Sequence, residues 1–471
     1  MRTTTRMGTS AASRALPQGL ELRRHRSPVL LSAAALAGGG VVLGTLLTQA
    51  SPIELMGALA ALLAAAAAFY RPSVSLAVLA FTYPFDLHTA VGPVKVTTSA
   101  ALMVIIALAL VVRGILYDRP AWRSTALDVP VLLFAGATLL SIGGSGGHWE
   151  FQGVGLLKAA GGFAIFFIAT QTLRTKEEVW LVVGAVLASG LIQGASTIVS
   201  ILNGSFALSS GARARGTFLD PNLFAGYLVL LIPLGLAVAA TLRKWWATAA
   251  FMMATLAVEV ALFATLSRSG LLGLIGATAL LLLLWPECRR YVLFMSASAA
   301  VLVLAFGLWA PLGGRLGPGA DSPLHELASR WAIWTVALQI ILHHPLGVGV
   351  GNFGYSFSSY AGVEVSHAHN LFLNIAAERG FLGLVAFVIM LAALFRSLRS
   401  GLRHVRGGFD QALVVGVTAA FGGFLLHSLL DATYYDYKVL LLFWLLVGVT
   451  AVLPRLLLPI AQEKPADLAV V

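Results

Sequence analysis

The chain has 471 residues, of which 58% are hydrophobic and 11% charged, and its mean hydropathy is +0.88. Soluble domains carry about 25% charged residues, so this composition excludes an ordinary soluble protein. The net charge of +11 does not predict a nucleic-acid partner, because the basic residues form short clusters between apolar runs instead of one continuous patch. The single cysteine, Cys288, excludes an internal disulfide and a cysteine metal cluster.

Long apolar runs recur along the chain and predict a bundle of membrane-spanning helices, because one spanning helix uses about 20 residues. The polar, basic tail of residues 1–27 precedes the first run, and no small-residue cleavage site stands out, so we interpret that run as a retained span. The third run is interrupted by Pro84 and Asp86, which leaves open whether it crosses the membrane. We predict an all-α polytopic bundle of about 12 to 14 spans, starting near residues 28, 52, 73, 98, 126, 154, 179, 221, 246, 270, 291, 380, 411 and 439.

Lysine and arginine predict the orientation of these spans, since both favour cytoplasmic loops. With the N-terminus in the cytoplasm, most of the 31 basic residues fall on the cytoplasmic side, and so does the C-terminal tail at 459–471. Three exceptions on the opposite side are interpreted as solvated loop charges: Lys95, Lys438 and Arg315. Arg213, Arg215 and Arg268 are harder to explain in this way, because they lie at the ends of spans. There they either converge on an anion or reach lipid phosphates.

One long segment, residues 311–379, separates the spans that start near residues 291 and 380. Loops of this length without a function are uncommon, so we expect a helical region outside the membrane, on the side opposite the cytoplasm. Apolar residues in this segment predict an amphipathic helix that rests on the membrane interface. They are Trp331, Trp334, Leu338, Ile340 and Ile341.

Four polar stretches in the second half of the chain carry the residues best suited to chemistry. They are residues 213–222 (RARGTFLDPN), residues 266–270 (LSRSG), Arg330-Trp331 followed by residues 344–353 (HPLGVGVGNF), and residues 367–383, which open with HAHN.

These stretches resemble the O-antigen ligase and O-antigen polymerase superfamily of bacterial envelope glycosyltransferases. Ligases of this superfamily show His, then Asn, Ser or Gln, then nine residues, Gly, two residues and Gly. The same spacing is found at His369, Asn370, Gly380 and Gly383, although Leu384 stands where Thr or Val is commoner. The resemblance covers roughly residues 200–390 and the many-span topology.

The resemblance implies a GT-C-like fold and a transfer reaction outside the cytoplasm, at the bacterial inner membrane. A glycan would pass from a polyprenyl (undecaprenyl) diphosphate carrier to an acceptor hydroxyl, with inversion and without metal, nucleotide sugar or other cofactor. His369 would be the general base, and Arg215 and Arg268 would hold the diphosphate. Further substrate-binding candidates are Arg213, Arg330, Asn370 and Asn222.

Hydropathy and the resemblance together divide the chain. After the basic tail come N-terminal transmembrane helices at 28–200, and then a ligase-like catalytic region at 201–395 that includes the loop 311–379. C-terminal transmembrane helices at 396–458 precede the cytoplasmic tail.

The residue types fit this chemistry independently of the resemblance. Guanidinium groups stay protonated on partial burial and stabilise the negative charge that develops on a leaving diphosphate. An acceptor hydroxyl needs a base that titrates near neutral pH, which is the property of histidine. Asn370 reads as the N-cap of a short helix that ends at Gly380, so His369 would precede a helix N-terminus. Because that positive end disfavours an imidazolium, we predict a neutral His369 at rest.

Several alternatives remain open at this stage. Within the enzyme class, the spacing at His369 favours a ligase with lipid A-core as acceptor, over a polysaccharide polymerase or a protein O-glycosyltransferase. A flippase for lipid-linked sugars, or a permease, is the competing class. His367 and His369 could instead bind a metal with His343 or His344. The acids in or beside spans are interpreted as packing contacts, though Asp431 could face the site: Asp86, Glu259 and Asp431.

Overall fold

The computed structural model describes residues 63–86, 88–91, 94–117, 122–144, 149–204, 212–305, 307 and 323–457. Several predicted features lie outside these residues: the N-terminal tail, the span near residue 28, most of the span near residue 52, Arg315 and the tail 459–471. For Lys95 only the backbone is described. Residues 63–70 are helical and precede the first helix for which both ends are described.

Fourteen α-helices with both ends described and one β-hairpin make up most of the described chain. The helices are α1 (Pro72–Thr82), α2 (Thr98–Leu116), α3 (Asp128–Leu140), α4 (Trp149–Thr172), α5 (Lys176–Leu202), α6 (Pro221–Ala239), α7 (Trp245–Ala264), α8 (Arg268–Leu284), α9 (Arg289–Ala305), α10 (Pro323–His343), α11 (Phe353–Ala361), α12 (Leu371–His404), α13 (Gly408–Ser428) and α14 (Tyr437–Leu457). The hairpin pairs β1 (His88–Val91) antiparallel with β2 (Val94–Thr97).

The helices confirm a polytopic membrane bundle. Within the described residues, nine helices are long and apolar enough to cross a membrane, and α1, α3 and α8 are shorter apolar helices. Every span predicted from residue 73 onward coincides with one of these twelve. The chain is therefore an integral multi-pass membrane protein.

The interrupted third span shows the one departure from an all-helical fold in the described part of the chain. Helix α1 ends at Thr82, a 3-10 turn (Tyr83–Phe85) follows, and the hairpin separates this turn from α2. Asp86, which the sequence suggested as a packing contact, accepts the backbone N–H of Ser99 at 2.9 Å. This carboxylate therefore satisfies an amide in the first turn of α2, which otherwise has no intrahelical acceptor.

The most buried helices form the centre of the bundle. In the most apolar window of α6, 89% of the residues are buried, and in that of α14 83%, against 22% in α2. A helix that is apolar on every side packs in the interior, whereas a helix exposed on one side faces lipid. Helices α6, α8 and α13 pack closely together, and α14 packs against α4 through Trp444, which contacts Phe163 edge-to-face. This packed centre holds the helix ends that carry the polar motifs.

Helix α12 is interrupted at Gly380, as the sequence predicted. Gly380 has φ +68°, and a side chain there would collide with the carbonyl of Pro345. The segment 345–351 packs against this break: Val348 N donates to Ala377 O at 2.9 Å, and Phe381 N donates to Pro345 O at 3.0 Å. The motif glycine therefore permits close backbone contact.

The long loop contains the predicted helix, α10. Trp331, Leu338 and Leu342 are exposed on it, whereas Ile340 is fully buried against the protein. Trp334 Nε1 donates to the carbonyl of Ala368 at 3.0 Å, so α10 packs on the segment that precedes α12. The exposed apolar residues suit contact with a membrane interface, which stays a prediction.

Candidate functional site

A cavity of about 200 Å³ lies at one end of the bundle. It brings together residues from four parts of the chain that are far apart in sequence. The lining residues are Arg213, Asn222, Arg268, Ser269, Ser329, Arg330, Ile333 and His369. Five of the residues predicted from the sequence are among them: Arg213, Asn222, Arg268, Arg330 and His369. We call this the cation cavity.

Arg213 is held in place by two acceptors. Its Nε donates to the carbonyl of Thr265 at 2.8 Å, and its Nη2 donates to Asn222 Oδ1 at 2.6 Å. Asn222 lies in the first turn of α6, where Asp220 caps the helix by accepting the Asn222 N–H at 2.7 Å. The Asp-Pro-Asn sequence therefore fixes both the start of α6 and the orientation of the guanidinium.

Arg268 and Arg330 come from two other elements. Arg268 is the first residue of α8, where Ser267 caps the helix by accepting the Gly270 N–H at 3.2 Å. The positive end of the α8 dipole therefore adds to the charge of this guanidinium. Arg330 lies on α10 and is only 7% exposed. Three guanidiniums and a helix N-terminus make the cavity suitable for an anion.

Arg215 is placed differently from the other predicted arginines. It is exposed and does not line the cation cavity. It belongs to a turn, in which Phe218 N donates to Arg215 O at 2.9 Å and Gly216 has φ +51°. The structure therefore brings Arg213, two residues earlier, next to Arg268, and leaves Arg215 outside.

Lys438 holds this turn against the rest of the protein, and the interpretation of Lys438 as a solvated loop charge is wrong. Its Nζ donates to the carbonyls of Thr217 at 2.7 Å and Pro84 at 2.9 Å, and it lies 5.0 Å from the centre of the Phe218 ring. A lysine at the start of an apolar helix reads as a loop charge from sequence alone. Only the fold shows that two carbonyls and an aromatic ring surround it.

His369 contacts a carboxylate that the sequence left open as a site residue. Its Nδ1 lies 3.4 Å from Asp431 Oδ1, and His367 Nε2 lies 3.4 Å from the same oxygen. The Nδ1 atom of His369 is buried, although 31% of its side chain is exposed. The exposed remainder of the ring is thus the part available to the cavity. His369 also has φ +47°, an uncommon backbone conformation for a residue other than glycine.

Asp431 is 1% exposed and lies in the segment between α13 and α14. Burial alone would raise the pKa of this carboxyl, but its interactions with His367 and His369 outweigh burial and hold the pKa well below the usual value. A neutral His369 at rest stays a prediction. Asp431 is the acid that faces the site.

His343 and His344 do not join this group. Tyr360 OH lies 3.1 Å from His343 Nδ1 and 3.4 Å from His344 Nε2. Among the described residues, the cluster of potential metal ligands consists of His367, His369 and Asp431. The metal set considered from the sequence, with His343 or His344, is therefore wrong.

Asn370 connects two segments that carry site residues. Its Oδ1 accepts the Leu373 N–H at 3.1 Å as the predicted N-cap of α12, and its Nδ2 donates to the carbonyl of Leu429 at 3.0 Å. Asn370 thereby joins the segment that carries His369 to the segment that carries Asp431. It does not line the cation cavity, so its placement indicates a positioning role.

A buried charged network lies further along α12 and was not anticipated from the sequence. Arg379 is 3% exposed; it donates to Tyr435 OH at 3.0 Å and to Thr138 Oγ1 at 3.2 Å, and its Nη1 lies 3.4 Å from Glu378 Oε2. Burial is the largest influence on Tyr435 and raises the pKa of this phenol, which stays protonated. The Glu-Arg pair at the end of a predicted helix is the only sequence signal for this network. We call it the buried network.

Comparison with known proteins found a family match. Residues 251–388 match a protein family described as O-Antigen ligase. The match runs from α7 into α12 and includes Arg268, Arg330 and His369, whereas Arg213 and Asn222 precede it. No curated protein matches the chain. The match at residues 251–388 supports the O-antigen ligase and polymerase superfamily, and the chain is a multi-pass membrane protein with a region similar to the O-antigen ligase family.

Proposed function

We propose that this protein transfers a glycan from a polyprenyl diphosphate carrier to an acceptor hydroxyl, as an O-antigen ligase whose acceptor is lipid A-core. The observation that carries the proposal is that one cavity combines His369 with Arg213, Arg268 and Arg330. A base and several fixed cations are the two requirements of a displacement with an anionic leaving group.

The guanidiniums bind the diphosphate in this proposal. Negative charge grows on the leaving oxygens as the bond to the sugar breaks, and guanidiniums stabilise that charge with bidentate hydrogen bonds. Arg213 is oriented by Asn222 and Thr265 before any substrate binds, so little reorganisation is required of it. Arg215, exposed on the neighbouring turn, is proposed to meet the part of the donor that lies outside the cavity.

His369 activates the acceptor. With Nδ1–H directed at Asp431, the lone pair of Nε2 accepts the proton of the acceptor hydroxyl. The hydroxyl oxygen then attacks the anomeric carbon, the bond to the diphosphate breaks, and the configuration inverts. Asp431, whose Oδ1 lies 3.4 Å from His369 Nδ1, stabilises the imidazolium that forms through its negative charge, as the acid does in other Asp–His pairs. The polyprenyl diphosphate leaves with its negative charges on the arginines.

We propose that the cation cavity faces the extracytoplasmic side of the bacterial inner membrane, with both termini in the cytoplasm. The cavity lies at the N-terminal ends of α6, α8 and α12. The basic pairs Arg243-Lys244 and Arg289-Arg290 lie at the opposite ends of helices α6 to α9. Since basic loops favour the cytoplasm, the cavity is assigned to the other side.

The test is transfer and donor binding measured separately on the purified protein. We expect His369→Ala to bind the lipid-linked donor like the wild type but to lose about 10²- to 10⁴-fold in transfer, the usual contribution of a general base. His343→Ala, which changes a histidine outside the cavity, is the matched control. A flippase would move lipid-linked glycan across liposomes equally well with either variant, and that result would contradict the proposal.

The acceptor is identified in the same assay by mass. Lipid A-core, a second lipid-linked repeat unit and a serine-containing peptide are offered in parallel to the wild type. A mass gain on lipid A-core alone supports the ligase assignment. A gain on the repeat unit or on the peptide would reassign the protein as a polymerase or as a protein O-glycosyltransferase.

A further inference from the structure

We infer that His367, His369 and Asp431 form a Zn²⁺ site, and that Zn²⁺ bound there inhibits the transfer reaction. The inhibitory part rests on the proposed function, since it needs His369 to be the base. The binding part does not, because it follows from the positions of three side chains.

The distances fit a metal ion better than hydrogen bonds. His367 Nε2 and His369 Nδ1 each lie 3.4 Å from Asp431 Oδ1. Hydrogen bonds between charged nitrogen and oxygen atoms are about 2.7–2.9 Å long, so 3.4 Å is too long for a good one. Two ligand atoms about 2.0 Å from a tetrahedral zinc ion are about 3.3 Å apart. All three potential ligand atoms lie within 4.8 Å of one another, so small ring rotations would complete the set.

The polar atoms around the three side chains also favour a bound cation. Ser366 Oγ lies 2.9 Å from His367 Nδ1. If the imidazole donates its Nδ1–H to this hydroxyl, its Nε2 lone pair faces a carboxylate oxygen, and a cation between the two relieves their repulsion. Asp431 Oδ2 and His369 Nδ1 are both buried without a hydrogen-bond partner among the described residues. Buried polar atoms without a protein partner are usually satisfied by water or an ion, and Zn²⁺ would satisfy both atoms here.

The ligand types select the metal. Two imidazoles and one carboxylate, with a further position open to solvent, are a common set of ligands for zinc. Hard cations such as Mg²⁺ prefer oxygen ligands and do not suit two nitrogens. The guanidiniums of Arg213, Arg268 and Arg330 line the adjoining cavity and oppose another cation. We therefore expect reversible binding, as befits an inhibitor rather than a resident cofactor.

Zinc at this position removes the base. It takes the lone pair of His369 Nδ1, and the proton that Nδ1 carried moves to Nε2 through solvent. The ring then has a hydrogen on Nε2 and no lone pair there for the acceptor hydroxyl. Asp431 is also occupied by the metal and no longer supports an imidazolium.

The experiment uses the full chain, purified in detergent and treated with EDTA. Zn²⁺ binding is measured by competition with a chromogenic chelator, and Co²⁺ serves as a spectroscopic probe of a tetrahedral site. The diagnostic variant is His367→Ala, which removes one ligand while leaving the lining of the cation cavity unchanged. The matched control is the double variant His343→Ala/His344→Ala, which removes two histidines elsewhere.

We expect the wild type and the double variant to bind one Zn²⁺, and His367→Ala to bind it at least about 10- to 100-fold more weakly, the loss already seen when only an outer partner of a ligand is removed. Equal Zn²⁺ affinity of His367→Ala and the wild type would overturn the site. Mg²⁺ should not compete with Zn²⁺, and competition by Mg²⁺ would overturn the assignment of the metal.

Inhibition is then measured separately with the lipid-linked donor. Saturating Zn²⁺ should lower transfer by the wild type about 100-fold or more, as expected for loss of a base, and EDTA should restore it. His367→Ala should be insensitive to the same Zn²⁺ concentration. Full transfer by Zn²⁺-loaded wild type would overturn the inhibition. If no acceptor gains mass under any condition, the proposed function fails, while the binding data still decide the metal site.

Discussion

Arg268 and Arg379 are the same residue type, but they lie in regions of opposite character. Arg268 lines the open cation cavity beside Arg213, Arg330 and His369. Arg379 is buried in a network with Glu378, Tyr435 and Thr138, and its guanidinium carbon lies 5.3 Å from the centre of the Phe134 ring. An arginine surrounded by protein partners supports the fold, and an arginine at a cavity wall is positioned for an anionic ligand.

The difference predicts which property each region controls. In the buried network, removing one partner leaves a charge uncompensated inside the bundle, so stability should fall. In the cation cavity, removing a charge should weaken the interaction with the proposed diphosphate, so transfer should fall. Substitutions in both regions test this separation, and they are taken from the largest expected effect to the smallest.

Glu378→Ala should have the largest effect on stability. It leaves the Arg379 guanidinium without its carboxylate, and breaking a buried ion pair costs about 3–5 kcal/mol. Thermal unfolding in detergent measures the loss, with Glu364→Ala, an exposed acid before α12, as the control. A Glu378→Ala protein as stable as wild type but inactive would place this network in the catalytic machinery and break the comparison.

Arg268→Ala should lower transfer by about 10²- to 10³-fold, the usual effect of removing one donor that stabilises developing negative charge. Arg268→Lys should recover part of the rate, because lysine keeps the charge but cannot make a bidentate contact. The measurement is transfer of glycan at saturating acceptor.

Arg213→Ala and Arg215→Ala, assayed beside Arg268→Ala, sharpen this result. The resemblance assigns diphosphate binding to Arg215 and Arg268. In the structure, Arg213 and Arg268 line the cation cavity together. A larger loss of transfer in Arg213→Ala than in Arg215→Ala favours the assignment of diphosphate binding to the residues that line the cavity. A larger loss in Arg215→Ala would mean that the turn carrying Arg215 closes onto the donor.

Asp431→Asn should lower transfer at least about 10-fold, which is less than the roughly 10⁴-fold loss known for a short Asp–His contact. Because the pKa of Asp431 is lower in the folded than in the unfolded protein, its contribution to stability is present above the ordinary carboxyl pKa and is lost as the pH falls through the folded value. In chelator-treated protein, the stability difference between wild type and Asp431→Asn should shrink below about pH 4, as Asp431 becomes protonated in the folded protein. A difference that instead grows below about pH 4 would show that the pKa of Asp431 is raised.

Asn370→Ala should have the smallest effect, a loss of about 1 kcal/mol in the free energy of unfolding, because it removes the N-cap of α12. Asn370→Ser restores the cap but not the bond to the carbonyl of Leu429. If Asn370→Ser is as stable as wild type but slower in transfer, then the link to the Asp431 segment matters for catalysis. If Asn370→Ala and Asn370→Ser both transfer glycan as fast as the wild type, Asn370 only stabilises the helix.

Much of the fold could be predicted from the sequence, because hydropathy alone determines where helices cross a membrane. The break at Gly380 was also predictable, since a glycine after a capped apolar helix marks its end. The hairpin at residues 88–97 was missed because its two short strands offer no hydropathy signal beside the interruption at Pro84 and Asp86.

The candidate site was predictable only in part. Histidine and arginine were found because their spacing matches a family motif, and the cavity contains most of them. Three partnerships depend on helix packing that no local pattern encodes: Asp431 with His369, Lys438 with Thr217, and Tyr435 with Arg379. Arg215 and Arg213 are nearly equivalent in sequence, and only the conformation of the turn after Arg213 separates them.

The break in α12 has a consequence for chimeras between relatives. The carbonyls of Ala377 and Glu378 are taken by the N–H groups of Val348 and Gly349, at 2.9 and 3.0 Å. A foreign α12 grafted alone would meet a mismatched partner, and unsatisfied backbone groups are costly where water is scarce. The segment 345–351 and α12 therefore form one interchangeable cassette, and domain exchange should succeed only when both are transplanted together.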